Sequence, residues 1–502
     1  MIHAQTRPGR FRPVLTMVLV TILFVLGWLG LEFYFAVTAK PNPTIDYGEL
    51  AEQHVRALQS NLPGEDVWPV LLDTTQLFSD TLADLKDDET GIVWGKGNYS
   101  FDAFYDYENA LDTLQKQKDD SFTFNEEAFD DLEAHRRMAR VALGRWDETG
   151  ITRRLDEIAA SGKAVRPMPD TTQAMMINIL LPELSTLRNM TRALCARMRI
   201  AREAGDWQLY AKSLEHGLAL GRIEMSQTTL IDRLVGVAIR SLMYAQLRKD
   251  LTQQLLPAEA CTLVKDAIDR QIDTAPLTHA FDAELMMQLD AVQWVHDKRG
   301  RVILSSLRQL DYGSATGPTV INIASIVFPR REQTEAWFRD LNEKTKTQAA
   351  VSIAERAEQS RQGLPVEPAY VSTWKTMIQD MLIPAYGSAI RSDDQLRTQE
   401  FGTRVMLAIE RYRHANNTLP ESLDQLTPEW LDVPATDPYS IDGHLLGYRV
   451  LPEPDENGRT YILYSIGFDG TDDNGNAPTE NMPDALRSGY EGTDYIMTEP
   501  IR

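Results

Sequence analysis

Oxygen-bearing side chains are crowded into one short stretch near the C-terminus. The stretch contains, in order, Asp469, Gly470, Asp472, Asp473, Asn474 and Gly475. Calcium is coordinated by about six to eight oxygens, mostly from carboxylates and carbonyls, and glycine permits the tight backbone turns that such coordination needs. These residues therefore predict a calcium-binding loop, with a spacing that is not that of an EF-hand. A turn rich in Asp and Asn that binds no ion is the alternative.

A second set of ionisable residues lies in a segment with helical character. Glu127, Asp131 and His135 follow one another at intervals of four residues, so a helix would carry them on one face. The trio could bind a metal ion or contribute to the active site of a hydrolase. A solvated face is the alternative, because the segment places acidic residues before basic ones, as the helix dipole favours.

No established catalytic motif is present. The eight histidines include no pair at metalloprotease spacing, and the sequence lacks a nucleophile elbow, a phosphate-binding glycine loop and a dinucleotide-binding fingerprint. The two cysteines, Cys195 and Cys261, exclude a disulfide-rich scaffold and a Cys-rich zinc cluster. They could pair in an oxidising compartment, but burial as small apolar residues is favoured. These features favour a protein without catalytic activity.

The chain is strongly acidic. Among its 502 residues, 73 acidic residues outweigh 51 basic ones, and the formal net charge is -22. Nucleic acid binding depends on neutralising phosphates with Lys and Arg, so DNA and RNA are excluded as partners. Residues 418–502 alone hold 17 acidic residues against four arginines. This uneven distribution indicates either a cation-binding segment or a solvated acidic surface.

An apolar segment near the N-terminus is long enough to anchor the chain in a membrane. Pro13 to Leu31 is a run of 19 residues without a charge, which suits a bilayer core about 30 Å thick. The aromatic residues Tyr34 and Phe35 follow like an interfacial belt. We therefore expect a transmembrane signal-anchor helix over residues 13–37. A cleaved signal peptide is the alternative, because residues 37–39 could pass for a small-residue cleavage site.

The charges that flank this segment predict its orientation. Arg7, Arg10 and Arg12 precede it without an acidic residue among them, whereas Lys40 is soon followed by Asp46 and other acids. Because positive flanks stay inside, residues 1–12 are expected to form a cytoplasmic basic arm. The chain is then a single-pass protein of the inner (cytoplasmic) membrane, with its bulk in the periplasm.

Residues 38–394 are expected to form a helical extracytoplasmic region. Between Leu180 and Leu251 apolar residues recur at helical spacing, and a turn at 204–206 provides Asp206 as the N-cap of a second helix. A third helix is expected from about Thr229. The first hairpin resembles a tetratricopeptide unit, but no second copy follows at the period of about 34 residues. The sequence therefore predicts a helical bundle or an irregular α-solenoid.

A small α+β domain is predicted over residues 395–502. A helix from Leu396 to about Asn416 carries apolar residues along one face. Short apolar segments at 445–451 and 460–466 then alternate with Pro, Gly, Asp and Asn, which is typical of an antiparallel sheet packed on a helix.

Six short segments of this region resemble a known family. In chain order they are Ile409 to Asn416, Leu419-Pro420, Asp437 to Tyr439, Gly447-Tyr448, Tyr464 to Gly470 and Glu491 to Ile496. Together they are similar to the calcium-binding C-terminal domain of type II secretion major pseudopilins. The resemblance implies that Asp469 and Asp494 are calcium ligands. Asp472 and Asp473 are further candidates on spacing alone.

The N-terminal helix departs from that family. A pseudopilin is cleaved just before a Phe or Met and carries a Glu five residues into the mature chain, whereas here Phe11 is followed by no acidic residue before Glu32. The segment 13–37 also lies far from the pseudopilin-like module in the chain. It is therefore expected to anchor the protein and not to build a filament.

These observations predict a membrane-tethered, extracytoplasmic binding or scaffolding protein of the cell envelope, with a calcium-stabilised C-terminal module. Its expected partners are the lipid bilayer and other envelope or secretion proteins. One alternative is an accessory component of a type II secretion or pilus-like machine. The other is a hydrolase with an active site in the helical region, built from residues such as Glu127, Asp131 and His135.

Overall fold

A computed structural model describes the greater part of the chain, and its gaps fall between helices and in the C-terminal module. The described residues are 11–83, 85, 126–179, 181–303, 306, 328–363, 377–383, 385–455, 458–476 and 493–498. Inside helices, the side chains of residues 11–16, 19, 29, 32, 33, 35–38, 126–136, 138, 377, 379 and 381 are not among those described.

The described chain is mainly helical, as predicted. Its helices are α1 (Phe11–Thr38), α2 (Tyr47–Leu58), α3 (Trp68–Ala83), α4 (Glu126–Thr149), α5 (Ile151–Ala160), α6 (Glu183–Ala204), α7 (Trp207–Met225), α8 (Leu230–Thr252), α9 (Ala258–Arg270), α10 (Leu277–Trp294), α11 (Arg331–Ala350), α12 (Ile353–Arg361), α13 (Met377–Leu382) and α14 (Tyr386–Asn416). Short 3-10 turns cover Met176–Asn178 and Leu423–Leu426.

Helix α1 contains the segment that was predicted to lie in a membrane. Its described large apolar side chains are exposed at successive positions, so they occupy every side of the helix. They are Met17, Val18, Val20, Ile22, Leu23, Phe24, Val25, Leu26, Trp28, Leu31 and Tyr34. Among the side chains that the structure describes, no helix is both long and apolar enough to cross a membrane. The transmembrane anchor therefore stays a prediction.

The chain is hydrogen-bonded to the helical region within a few residues of the end of α1. The side-chain amide of Gln293, near the end of α10, accepts hydrogen bonds from the N–H groups of Thr44 at 3.1 Å and Ile45 at 3.2 Å. The same amide donates to the carbonyl oxygen of Ile45 at 2.8 Å. These bonds fix the start of the helical region six residues after Thr38, where α1 ends.

The central hairpin of α6 and α7 confirms the predicted turn. Gly205 adopts a left-handed conformation with φ of 69° and ends α6, because a glycine has no Cβ to clash there. The carboxylate of Asp206 then accepts a hydrogen bond from the N–H of Leu209 and caps α7. Thr229 caps α8 in the same way, together with Asp232. The predicted starts of the second and third helices are thus confirmed.

Glycines let α7 and α8 approach each other closely. A Cβ at Gly236 of α8 would lie 2.6 Å from the carbonyl oxygen of Gly221 and 2.7 Å from the backbone nitrogen of Met225. Both of these atoms belong to the backbone of α7, which cannot rotate away as a side chain can. The contact between the two helices therefore requires glycine at this position.

Helix α14 is joined to the helical region by a row of charged side chains. Its residues 393, 397, 400 and 404 lie on one face and alternate in sign. The ion pairs along this row are Asp393 with Arg233, Arg397 with Asp273, Glu400 with Arg240, and Arg404 with Asp269. Arg233 and Arg240 on α8 are each only 1% exposed. We call these four pairs the charge ladder.

The C-terminal sheet has three described antiparallel strands, β1 (Gly447–Val450), β2 (Tyr461–Ser465) and β3 (Tyr495–Ile496), in the order β1-β2-β3. Gly447 pairs with Tyr464 across β1 and β2, and Tyr464 pairs with Ile496 across β2 and β3. The predicted small sheet packed on a helix is thus confirmed. The helix, α14, begins at Tyr386, ten residues before the predicted Leu396.

One hydrophobic core extends from the helical region into the C-terminal module. The cluster includes Leu214 of α7 and Tyr244 of α8, and it continues through Val405 of α14 to Leu463 of β2. Residues 386–416 form a single helix that contributes to both parts. The module is therefore built onto the helical region through a shared interior. Cys195 and Cys261 are both free and buried in that interior, as the sequence favoured.

We predict that Gly236→Ala destabilises the protein, because the new methyl group meets the backbone of α7. Overpacking of this kind lowers the free energy of unfolding by about 1–3 kcal/mol. The matched control is Gly144→Ala in α4, where a Cβ would meet nothing within 4 Å. That change should raise the free energy of unfolding by about 0.5–1 kcal/mol through helix propensity. Urea unfolding of both variants measures the difference, and equal effects would contradict the close approach.

Candidate functional site

Three of the four predicted calcium ligands lie together in the C-terminal loop. Asp494, beside β3, accepts hydrogen bonds from the backbone N–H groups of Asp473 at 3.3 Å and Gly475 at 2.7 Å. Asp472 accepts from the hydroxyl of Tyr464 at 2.9 Å. Gly475 has a φ of 76°, which is the left-handed conformation that the sequence anticipated. The structure thus brings Asp472, Asp473 and Asp494 to one place.

Within the described residues, no basic side chain forms an ion pair with this trio. Asp494 is 0% exposed, and burial raises the pKa of its carboxyl to about 6. The carboxylates of Asp472 and Asp473 add to this rise in pKa, whereas the N–H groups of Gly475 and Asp473 oppose it. One carboxylate oxygen of Asp473 is buried and has no hydrogen-bond partner among the described residues. A bound cation would relieve both conditions.

Asp469 is placed differently from the other three. Its carboxylate accepts a hydrogen bond from the N–H of Thr471 at 3.0 Å, within the same turn. The guanidinium of Arg361, at the end of α12, donates to the carbonyl oxygen of Phe468 at 3.1 Å and lies against Gly470. No group of three or more His, Cys, Asp and Glu side chains within the described ranges is arranged to hold a metal ion. Glu491 lies outside these ranges.

The sequence did not single out Asp437 as a functional residue, yet its carboxylate fixes the end of β2 from which the loop starts. It accepts hydrogen bonds from the hydroxyl of Ser465 at 2.7 Å and from the N–H of Ile466 at 2.8 Å. Asp437 is 2% exposed, and burial raises the pKa of its carboxyl, although these hydrogen bonds oppose the rise. The acidic segment 469–473 therefore begins from a fixed point.

A large groove lies elsewhere, between α5, α7 and α9. Its volume is about 810 Å³, which is within the range of about 300–1,000 Å³ typical of ligand sites. Charged and polar side chains contribute much of its wall. They are Asp156, Asp206, Gln208, Lys212, Glu215, His216, Asp266, Arg270 and Gln271. We call this cavity the α5/α7/α9 groove.

Each basic side chain of the groove is paired with a carboxylate. The guanidinium of Arg270 makes two hydrogen bonds of 2.7 Å to Glu215, which is the bidentate arrangement that Arg favours. The ammonium group of Lys212 lies 2.8 Å from Asp156. Asp206 and Asp266 are exposed in the same groove. Neither forms an ion pair with Lys or Arg within the described ranges.

His216 is the most deeply placed ionisable residue of the groove. It is 2% exposed, and its Nε2 atom lies 2.8 Å from the carboxylate of Asp156. Burial lowers the pKa of His216, and the charges of Arg197 and Lys212 add to this effect while Asp156 opposes it. The imidazole is therefore neutral at neutral pH. With its Nε2–H donated to Asp156, its Nδ1 is an acceptor, and this atom has no partner among the described residues.

A histidine paired with a carboxylate is also the arrangement of a general base. Catalysis by a covalent route needs in addition a nucleophile within hydrogen-bond reach of the imidazole. No Ser, Thr or Cys side chain in the described part of the chain hydrogen-bonds to His216. The described wall of the groove thus presents charged and polar side chains, among them His216 paired with Asp156. The histidine of the groove is His216, whereas the sequence had selected His135 together with Glu127 and Asp131. The side chains of those three residues of α4 lie outside those described.

No protein-family model, no curated protein and no solved structure matches this chain. The pseudopilin-like character of residues 395–502 therefore rests on the quoted sequence segments alone.

Proposed function

We propose that this protein is a membrane-tethered binding or scaffolding protein of the cell envelope, and that it holds its ligand in the α5/α7/α9 groove. The groove is the observation that carries this proposal. It combines a volume of about 810 Å³ with ion-paired walls and a deeply placed neutral histidine. Side chains that are held in ion pairs form a wall of defined shape, which lowers the entropic cost of binding a ligand.

A binding role is favoured over catalysis because the polar groups of the groove stabilise one another. The carboxylate of Asp156 is shared between Lys212 and His216. Although burial opposes it, the hydrogen bonds from His216 and Lys212 lower the pKa of Asp156. Asp156 therefore stays ionised at neutral pH and holds the side chains of Lys212 and His216 in place. These shared contacts fix the shape of the groove wall.

Helix α1 supports the membrane-tethered part of the proposal. Exposed apolar side chains on every side of a helix are costly in water, because each exposed large side chain forgoes about 1.5–3 kcal/mol of burial energy. A bilayer removes this cost. The arginines around the start of α1 and the acidic residues after it support an orientation with the N-terminus in the cytoplasm and the rest of the chain outside.

We further propose that calcium stabilises the C-terminal module. Asp472, Asp473 and Asp494 would hold the ion, and Asp469 is an additional candidate nearby. The ion would supply positive charge to a buried carboxylate that now faces two others. This proposal gains support from the raised pKa of Asp494 and from the unpartnered oxygen of Asp473. It concerns stability only and leaves the groove unchanged.

The first test concerns membrane topology, and the buried native cysteines make it simple. Cys195 and Cys261 are 4% and 0% exposed, so they should not react with a membrane-impermeant maleimide. We expect Thr418→Cys, at an exposed site, to be labelled in spheroplasts. Gln5→Cys should be labelled only after the membrane is permeabilised. Labelling of Gln5→Cys in sealed spheroplasts, or recovery of the protein in the soluble fraction, would contradict the tethered orientation.

The second test concerns calcium. In the full chain, saturating calcium at neutral pH should raise the melting temperature by about 2–4 °C. The rise should disappear in Asp494→Asn, and also in the wild type at pH below 5, because the carboxyl of Asp494 has a pKa of about 6 and binds calcium only when ionised.

Asp340→Asn is the control for the calcium test, since it removes an exposed acidic residue from α11. It should respond to calcium as the wild type does. An unchanged melting temperature of the wild type at neutral pH would rule out a calcium site of this kind.

The third test asks whether the groove is occupied in the cell. A photo-crosslinking amino acid at Gln208, which lines the groove, should give a defined crosslinked product in native membranes. The same amino acid at Gln53, an exposed glutamine on α2, should not give that product. Equal products from both sites, or none from Gln208, would speak against a binding role for the groove.

A further inference from the structure

The α5/α7/α9 groove carries an excess of negative charge. Four carboxylates line it, from Asp156, Asp206, Glu215 and Asp266, and two basic side chains, from Lys212 and Arg270. With His216 neutral, the balance is two negative charges. A concave surface of one sign concentrates ligands of the opposite sign, because the protein walls focus the field.

The positions of the ion pairs show which charges remain for a ligand. Lys212 and Arg270 are each held by a carboxylate at hydrogen-bond distance, so an anionic ligand would have to break one of these pairs. Asp206 and Asp266 are exposed, and neither forms an ion pair with a basic side chain in the described ranges. Among the described residues, the carboxylate of Asp206 accepts the N–H of Leu209 at 2.9 Å. These two acids are therefore the exposed carboxylates of the groove that are not held in an ion pair within the described ranges, although their charges act on Arg197 and Arg270.

A deeper group favours a ligand that carries N–H donors. The neutral ring of His216 offers the lone pair of Nδ1, which is buried and has no partner within the described residues. An unsatisfied buried acceptor is unfavourable, and an ammonium N–H that reaches it would satisfy it.

We propose that the α5/α7/α9 groove binds a flexible chain that carries two or more ammonium groups. Asp206 and Asp266 bind these groups, and His216 accepts a hydrogen bond at the floor of the groove. This inference rests on the proposed binding function and adds the chemistry of the ligand. A lysine-rich peptide segment and a polyamine share this chemistry, so both are used as probes.

The experiment is isothermal titration of the full chain in detergent with N-acetyl-trilysine amide and, separately, with spermidine. At least one probe should bind, with an affinity that falls as salt rises. The double variant Asp206→Asn, Asp266→Asn should weaken binding about tenfold or more, because it removes both exposed carboxylates that are proposed to bind the ammonium groups. Asn preserves the N-cap of α7, so the variant should keep its fold. The tighter probe identifies the source of the ligand.

A second double variant, Asp340→Asn with Glu343→Gln, controls for net charge. It removes two exposed acidic residues from α11, outside the groove, and should bind the probes with wild-type affinity. N-acetyl-triglutamate amide should not bind. Absence of binding by both cationic probes, or equal loss in the two double variants, overturns the assignment of the ligand. A crosslink from Gln208 would still appear in that case, so failure of the ligand class is distinguishable from failure of the binding function.

Discussion

Buried arginines set the arrangement of the helices in this protein. A buried guanidinium is costly unless carboxylates and carbonyls satisfy it, and removal of one partner leaves an uncompensated charge. Arg240, for example, binds Glu400 of α14 and also donates to the carbonyl oxygens of Leu218 in α7 and Gln271 after α9. A shift of any of these helices along its neighbour would separate such partners. The charge ladder therefore fixes the register of α8 and α14 as well as their contact.

Arg166, in the segment between α5 and α6, is another buried arginine that joins several helices, and it lies beside three carboxylates. Its guanidinium lies 2.9 Å from Glu183, 2.6 Å from Asp232 and 3.4 Å from Glu224, and all three acids are buried. Burial raises the pKa of Glu224, and the neighbouring carboxylates of Asp232 and Glu183 add to this rise while the charge of Arg166 opposes it. One guanidinium thus joins three helices of the helical region, α6, α7 and α8, through one buried carboxylate from each.

The sequence predicted elements whose signals are local and missed those that depend on distant pairing. Gly205 and Asp206 identified the turn between α6 and α7 because a helix end needs a left-handed residue and a cap. The first turns of α14 were missed because Asp393 and Arg397 look like a solvated surface when their partners are unknown. The acidic loop, in contrast, could be found because most of its residues lie in one segment of sequence. The groove could not, since it joins residues near 156, 206–216 and 263–271 that come together only in the fold.

The attachment of Thr44 and Ile45 to Gln293 limits how far the protein can reach. If α1 is the anchor, the residues between Thr38 and Thr44 can extend over roughly 20 Å at most. This tether is shorter than the length of α14, a helix of 31 residues at about 1.5 Å each. With α1 in a bilayer, the end of α10 that binds Thr44 and Ile45 would be held within this distance of the membrane surface. The helical region would then meet only molecules that come close to that surface.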